Sequence, residues 1–217
     1  MYEVLQMRYK DSRFCENMNY PQFETEGKFD TPILKPHQYV PTEFVGFNYA
    51  RTSKNKSEKG IHFFLDDYQF ERVWREPMAY IDLLAQYQCV MTPDFSLYMD
   101  YPKALQIYNH WRKHWLGALW QAFGISVIPT IAWSDKDSYK WCFDGIPKNS
   151  TIAVSSVGTQ NNKQSKTAFL DGWFECVDRL APETIIFYGT IPEECNGNIV
   201  RIKAFQEKFK EVKTDGR

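Results

Sequence analysis

Five short apolar runs, each passing into polar residues, set the pattern of this chain. Ile61-His62-Phe63-Phe64-Leu65 passes into Asp66-Asp67, and Cys89-Val90-Met91-Thr92-Pro93 into Asp94-Phe95-Ser96. Residues 125–132 pass into Trp133-Ser134-Asp135, residues 151–154 into Ser155-Ser156-Val157-Gly158-Thr159, and residues 184–187 into Tyr188-Gly189-Thr190. Short continuous apolar runs suit parallel strands covered on both faces. Residues 43–48 predict a further strand before these runs and residues 198–202 one after them.

Helical spacing fills most gaps between the runs. Residues 68–74 predict a short helix, and Pro77 suits the first turn of the next, with Tyr80, Leu83, Leu84 and Tyr87 at helical intervals. Pro102 opens a longer helix carrying Leu105, Tyr108, Trp111, Trp115, Leu119 and Phe123 on nearby faces, and Gly124 fits its stop. Residues 136–147 read as an irregular or short helical crossover. Residues 164–180 predict a helix with Phe169, Trp173, Val177 and Leu180 inward, ended by Pro182. From Ala204 the tail alternates Phe with Lys and Glu, as an exposed amphipathic helix would. Pro21, Pro32, Pro36 and Pro41 break residues 1–43 into an irregular arm packed on a single domain at 44–217.

Strands alternating with helices predict an α/β protein with a mostly parallel sheet. An irregular or incomplete TIM-like barrel is favoured over an open doubly wound sheet. About seven strands are available, no glycine fingerprint follows the first, and a full barrel takes roughly 250 residues. The chain has 217.

Composition narrows the class. Hydrophobic residues at 43% and aromatics at 17% belong to a globular protein rather than a disordered one. A net charge of −1 excludes a global basic field for nucleic acid. Residues 51–60 are basic and polar, which suits a solvated loop better than a phosphate contact. The cysteines at 15, 89, 142, 176 and 195 are scattered, with no CxxC pair, and Cys89 and Cys176 read as buried thiols. No signal-like stretch and no run near 18 apolar residues is found, so the expectation is a soluble cytoplasmic protein without a membrane.

Parallel strands place their carboxyl ends on one side, and ligands sit there. Asp66, Asp67 and Asp94 at two strand ends are the candidate catalytic carboxylates, able to divide acid and base roles or to bind a divalent cation through oxygen. Capping of the following helix is the competing reading, strongest for Asp94 with Ser96. Ser96, Trp133, Ser155, Ser156, Gly158 and Tyr188 are the candidate substrate contacts. The loop at 155–159 is rich in hydroxyls and suits phosphate or carboxylate, although it is neither a Walker motif nor a GxSxG elbow. His110 and His114 share a helix face at zinc-binding spacing, but no HExxH glutamate or third ligand accompanies them, so they read as surface or packing residues and no metal ligands are assigned. His37 and His62 are isolated. Gln106, Asn109 and Arg112 either knit their helix to a strand-end loop or face water, and water is favoured.

Several segments resemble a known family. They are Phe63-Phe64-Leu65-Asp66-Asp67, Arg72-Val73-Trp74, Pro77, Thr92-Pro93-Asp94-Phe95-Ser96-Leu97-Tyr98 and Pro102. Gln106-Ile107-Tyr108-Asn109 with Arg112, Val127-Ile128-Pro129 with Trp133, and Phe143 with Gly145-Ile146 continue the match. The chain is similar over residues 40–190 to the domain of unknown function numbered 4417, and residues 92–98 are its most distinctive part. The resemblance implies a bacterial, phage or mobile-element origin. It brings no reaction, so no catalytic role is carried over.

Three functions follow as expectations. The first is a small-molecule or phosphoester-binding enzyme, a hydrolase by preference, with its site at the strand ends and a divalent metal admissible as cofactor. The second is a mobile-element accessory protein that binds nucleic acid. The third binds a host protein through the proline-rich arm and the tail.

Overall fold

The computed structural model describes residues 22–205 and 207. The expected helical tail beyond 207 and the start of the arm, with Cys15, lie outside them. A small antiparallel hairpin opens the described chain, β1 (Thr25–Glu26) with β2 (Thr31–Pro32). The remaining strands are all parallel. They form two four-stranded sheets. One contains β3 (Glu43–Gly46), β4 (Lys59–His62), β5 (Cys89–Met91) and β6 (Val127–Ile128) in that order. The other contains β7 (Thr130–Ile131), β8 (Thr151–Ser155), β9 (Thr184–Tyr188) and β10 (Ile199–Ile202), also in chain order.

The expected strand at 125–132 is divided at Pro129, which has no amide to give to a ladder. The polar backbone is nevertheless paired through the break. The Thr92 amide donates to the Ile128 carbonyl, and the Ala153 amide to that of Pro129, both at 2.9 Å. The division therefore hands the ladder from β5 to β8.

Helices α1 (Glu71–Arg75) and α2 (Ile81–Leu84) are short, and the residues after Pro77 first take a tighter turn. Helix α3 (Lys103–Ala122) is followed by Gly124 at φ +79, a left-handed stop that suits glycine. Helix α4 (Lys163–Leu180) is capped by the Asn162 side chain, which accepts from the Ser165 amide.

Side chains alternate across each strand. Ile61, Phe63, Val90 and Val127 point into one core with α1, α2 and α3. Ile152, Val154, Ile185 and Phe187 point into a second core with α4. The opposite faces bring Cys89, Met91, Ile128, Ala153, Ile186 and Tyr188 into a third cluster, to which no helix residue contributes. Strand residues fill most of that interior, with Phe64, Ala204 and Val40 added from the segments beside them. The Phe64 and Tyr188 rings stack at 4.8 Å, although β4 and β9 belong to different sheets. A closed barrel is not formed, because no ladder joins β3 to β10 among the described residues.

The apolar face expected for the long helix needs correction. Leu105 and Tyr108 are exposed, while Gln106, Asn109, His110, Arg112, Lys113 and His114 are buried. The reason is what α3 covers: a strand-end loop and the β1–β2 hairpin, both rich in backbone carbonyls that need donors.

Candidate functional site

A cavity of about 840 Å³ opens where the strands end. Asp66, Asp94, Ser96, Trp133, Ser155, Gly158 and Tyr188 line it. Asp67 and Ser156 do not. Asp67 accepts from the Ser96 amide at 3.1 Å and from its hydroxyl at 2.9 Å, tying the loop after β4 to the loop after β5. Ser156 is buried, donating its amide to Tyr188 at 3.1 Å and its hydroxyl to the Thr190 carbonyl at 2.6 Å. Neighbours along the chain thus divide: one faces the cavity while the next braces its wall.

Asp94 is partly accessible from the cavity and packed by protein on its other sides. Burial pushes its carboxyl up to about 7, Lys113 pulls it down, and the Asp67 carboxylate pushes it up again. Burial in turn lowers the Lys113 ammonium, against the pull of Asp94 and Cys142. Lys113 donates to the Thr130 carbonyl at 3.0 Å. Asp94 is not the local cap that its position suggested, since α3 starts at Lys103 without any side-chain cap. Asp66 is exposed at the cavity mouth and accepts from the Gln69 side chain at 3.3 Å.

The loop that carries Asp94 and Ser96 is held from beneath. Asn109 donates to the Ser96 carbonyl at 2.8 Å, and Gln106 donates to those of Tyr98 and Tyr101 at 3.1 and 2.8 Å. Arg112 Nη1 donates to both oxygens of Glu71 at 2.8 and 2.9 Å, and the guanidinium lies over the Phe95 ring at 3.6 Å. The expectation that these three residues face water is therefore overturned. Buried polar groups find partners, and the open carbonyls of a strand-end loop supply them.

His110 and His114 are also inside, with ring centroids 4.4 Å apart. Their reading as surface residues fails, while that as packing residues stands. His114 Nδ1 bonds the Pro32 carbonyl at 3.0 Å. Burial holds His110 well below its usual range and His114 down at about 3. Among the described residues, no three His, Cys, Asp or Glu side chains group so as to hold a metal ion.

Sequence reasoning passed over His62, Ser134 and Lys203, all of which line the cavity. A signal existed for His62. It stands between Ile61 and Phe63, which face the helices, so alternation turns it inward with Phe64. Its ring lies 5.0 Å from that of Tyr188.

A family model described as a domain of unknown function (DUF4417) matches residues 23–206. The "Gene 1 protein" of Mycobacterium phage L5 is 37% identical over 201 residues, covering 90% of this chain and 88% of that protein. The "Gene 1 protein" of Mycobacterium phage D29 is 36% identical over 185 residues, covering 84% of this chain and 68% of that one. No solved structure matches.

Proposed function

We propose, for a chain that belongs to the DUF4417 family, that the strand-end cavity binds a small organic molecule and acts on it by acid–base chemistry through Asp94. The observation that carries this reading is a carboxyl raised to about 7 in the wall of a cavity of ligand size. Such a group is half protonated near neutrality, so it takes a proton in one step and returns it in another. Hydrolysis is the reaction class that asks least of the rest of the site. The ionised Asp94 accepts a proton from an attacking water and then delivers it to the leaving group. Asp67, through Ser96, is a positioning residue for that loop. Asp66, Ser96, Ser155 and Tyr188 contribute polar contacts, and Trp133 an aromatic wall. The fold reading that accompanies the site is an incomplete TIM-like barrel, supported by sequential strand order and the Phe64–Tyr188 stack. We place the activity in the cytoplasm, which free Cys89, Cys142, Cys176 and Cys195 support, as does the lack among the described residues of a helix long and apolar enough to cross a membrane.

The test is a panel of chromogenic aryl esters and phosphoesters assayed from pH 5 to 9. Turnover that follows one ionisation near 7 and disappears in Asp94→Asn, with the fold intact by circular dichroism, supports the reading. No turnover and no ligand in a fragment screen of the wild type sinks it.

A second reading rests on a different observation. Tyr49, Tyr98, Met99, Val157 and Phe205 are large, apolar and exposed, and all line the cavity. A collar of this kind suits a host protein laid across the mouth, without catalysis.

A further inference from the structure

We infer that the β7–β8 side of the cavity is a phosphate-monoester site: hydroxyls after two adjacent strands converge with the amino end of α4. The inference rests on the reading of the cavity as a ligand site and names the class of ligand. The phosphate is a recognition handle, not the reacting group.

The first observation is topological. Ile131 of β7 pairs with Val154 of β8, so the chain leaves both strands side by side. Ser134 follows the first strand, Ser155 ends the second, and Ser165 lies in the first turn of α4. All three line the cavity. The three serines therefore meet at one space from three separate elements.

The second observation is independent of the helix. Ser134 is only 4% exposed, and its hydroxyl oxygen has no hydrogen-bond partner among the described residues. Its amide is already committed, donating to Ser138 Oγ at 3.0 Å. A buried hydroxyl without a partner is costly unless a ligand supplies one. Ser134 lies in the cavity wall, so a rotation of its side chain would give that hydroxyl a ligand there as its partner.

The loop after β8 offers donors in the same place. Ser155 Oγ accepts from the Val157 amide at 3.2 Å, which leaves its own proton to donate. The Thr159 amide is spent on the Ser156 carbonyl. Gly158 sits at φ +82 with open space beside it, and its amide has no acceptor among the described residues. At α4 the Asn162 side chain takes the Ser165 amide at 2.8 Å. Lys163 and Gln164 line a separate hollow with Thr167 and Asp171, so α4 reaches the cavity through Ser165 in its first turn, and through Ala168 and Phe169. Lys203, following β10, adds a cationic side chain to the same cavity.

The cavity is thus divided by charge. Its carboxylates, Glu43, Asp66 and Asp94, come from the β3–β6 sheet and the loops that follow it. Ser134, Ser155, Ser165 and Lys203 come from the other sheet and the segments that follow its strands, while Ser96, Tyr49 and Tyr98 place hydroxyls on the acidic side as well. A monoester held by its phosphate at β7–β8 turns its organic part toward Asp94. Donors arriving from several directions match a tetrahedral anion better than a planar carboxylate, which offers only two oxygens.

Calorimetry with inorganic phosphate, phenyl phosphate and benzoate tests this on the full chain. Both phosphates should bind the wild type, and benzoate about tenfold more weakly. Ser155→Ala and Ser165→Ala should each weaken phenyl phosphate by about threefold to tenfold, and Ser134→Ala by about tenfold. Asp94→Asn should retain phosphate binding. If Ser134→Ala does not fold, the other two serine variants decide. Failure of both phosphates to bind the wild type at about 10 mM overturns the inference. So does binding that none of the folded serine variants weakens. If phosphate fails while Asp94 still titrates near 7, this inference alone falls. If phosphate binds through the serines while Asp94 titrates as an ordinary carboxylate, the acid–base reading falls and the phosphate site stands.

Discussion

Thr130 and Thr92 bridge the proline break with their side chains. The Thr130 amide donates to Thr92 Oγ1 at 2.8 Å, and the Thr130 hydroxyl donates to the Thr92 carbonyl, also at 2.8 Å. Both residues are buried. Two hydroxyls thus continue a ladder that Pro129 would otherwise interrupt, two residues before Asp94. Thr92→Val keeps the shape but leaves the Thr130 amide unpaired, and should cost about 1–3 kcal/mol. Thr130→Val removes a donor from a carbonyl and should cost about 0.5–1.5 kcal/mol. Urea unfolding with an unchanged slope checks both. Equal stability of Thr92→Val and wild type would remove the bridge from the energetics.

Arg112 fixes the loop that carries Asp94 from below, through Glu71, Asn109 and the Phe95 ring. A lysine retains the charge but loses the separate Nε–H bond to Asn109 and the planar stacking on Phe95. Because Glu71 remains partly open to solvent, Arg112→Lys should cost about 1–3 kcal/mol rather than the full penalty of a broken buried pair. Any turnover should fall more than stability alone explains, since Asp94, Phe95 and Ser96 share the loop. Retention of both stability and turnover would show that the Arg112 guanidinium does not position it.

The buried histidines make stability depend on pH. Both have folded-state pKa values lowered by burial, His114 to about 3 against 6.5 unfolded. Below pH 6.5 the unfolded chain binds more protons, so their contribution is lost as pH falls toward 3. The limiting slope is about 1.4 kcal/mol per pH unit for each group. Asp94 works the other way, because its folded-state pKa is raised: its contribution is present below about pH 4 and is lost as pH rises through 7. The histidine effect is therefore cleanest in Asp94→Asn. In that background urea midpoints should fall from pH 6.5 to 4. His114→Asn, which keeps a donor for the Pro32 carbonyl, should flatten the fall. A flat profile before His114 is replaced would contradict the burial of neutral imidazoles.

How far the sequence revealed this molecule depends on what kind of burial each element has. The parallel strands at 89–91, 151–155 and 184–188 were legible because continuous apolar runs report burial on both faces. The face of α3 was not legible. Apolar spacing finds a buried side only when that side meets apolar neighbours, and here Gln106, Asn109 and Arg112 meet carbonyls and a carboxylate. The run at 125–132 reads as one strand, and neither its division at Pro129 nor the span by Thr92 and Thr130 was legible in it. Strand ends located the cavity, whereas Asp66 could not be told from Asp67 without the turn that sends one side chain into the cavity and the other onto Ser96. Whether β3 meets β10 depends on accumulated twist and register, which no local spacing records.

Carbon NMR titration of the aspartate side chains, read in wild type and Asp94→Asn, bears on the proposed site without requiring a substrate. One carboxyl should titrate near pH 7, its signal should be missing in Asp94→Asn, and the other aspartate signals should remain. A spectrum in which every aspartate titrates below about pH 5 would leave the cavity without its acid–base group and contradict the proposed chemistry.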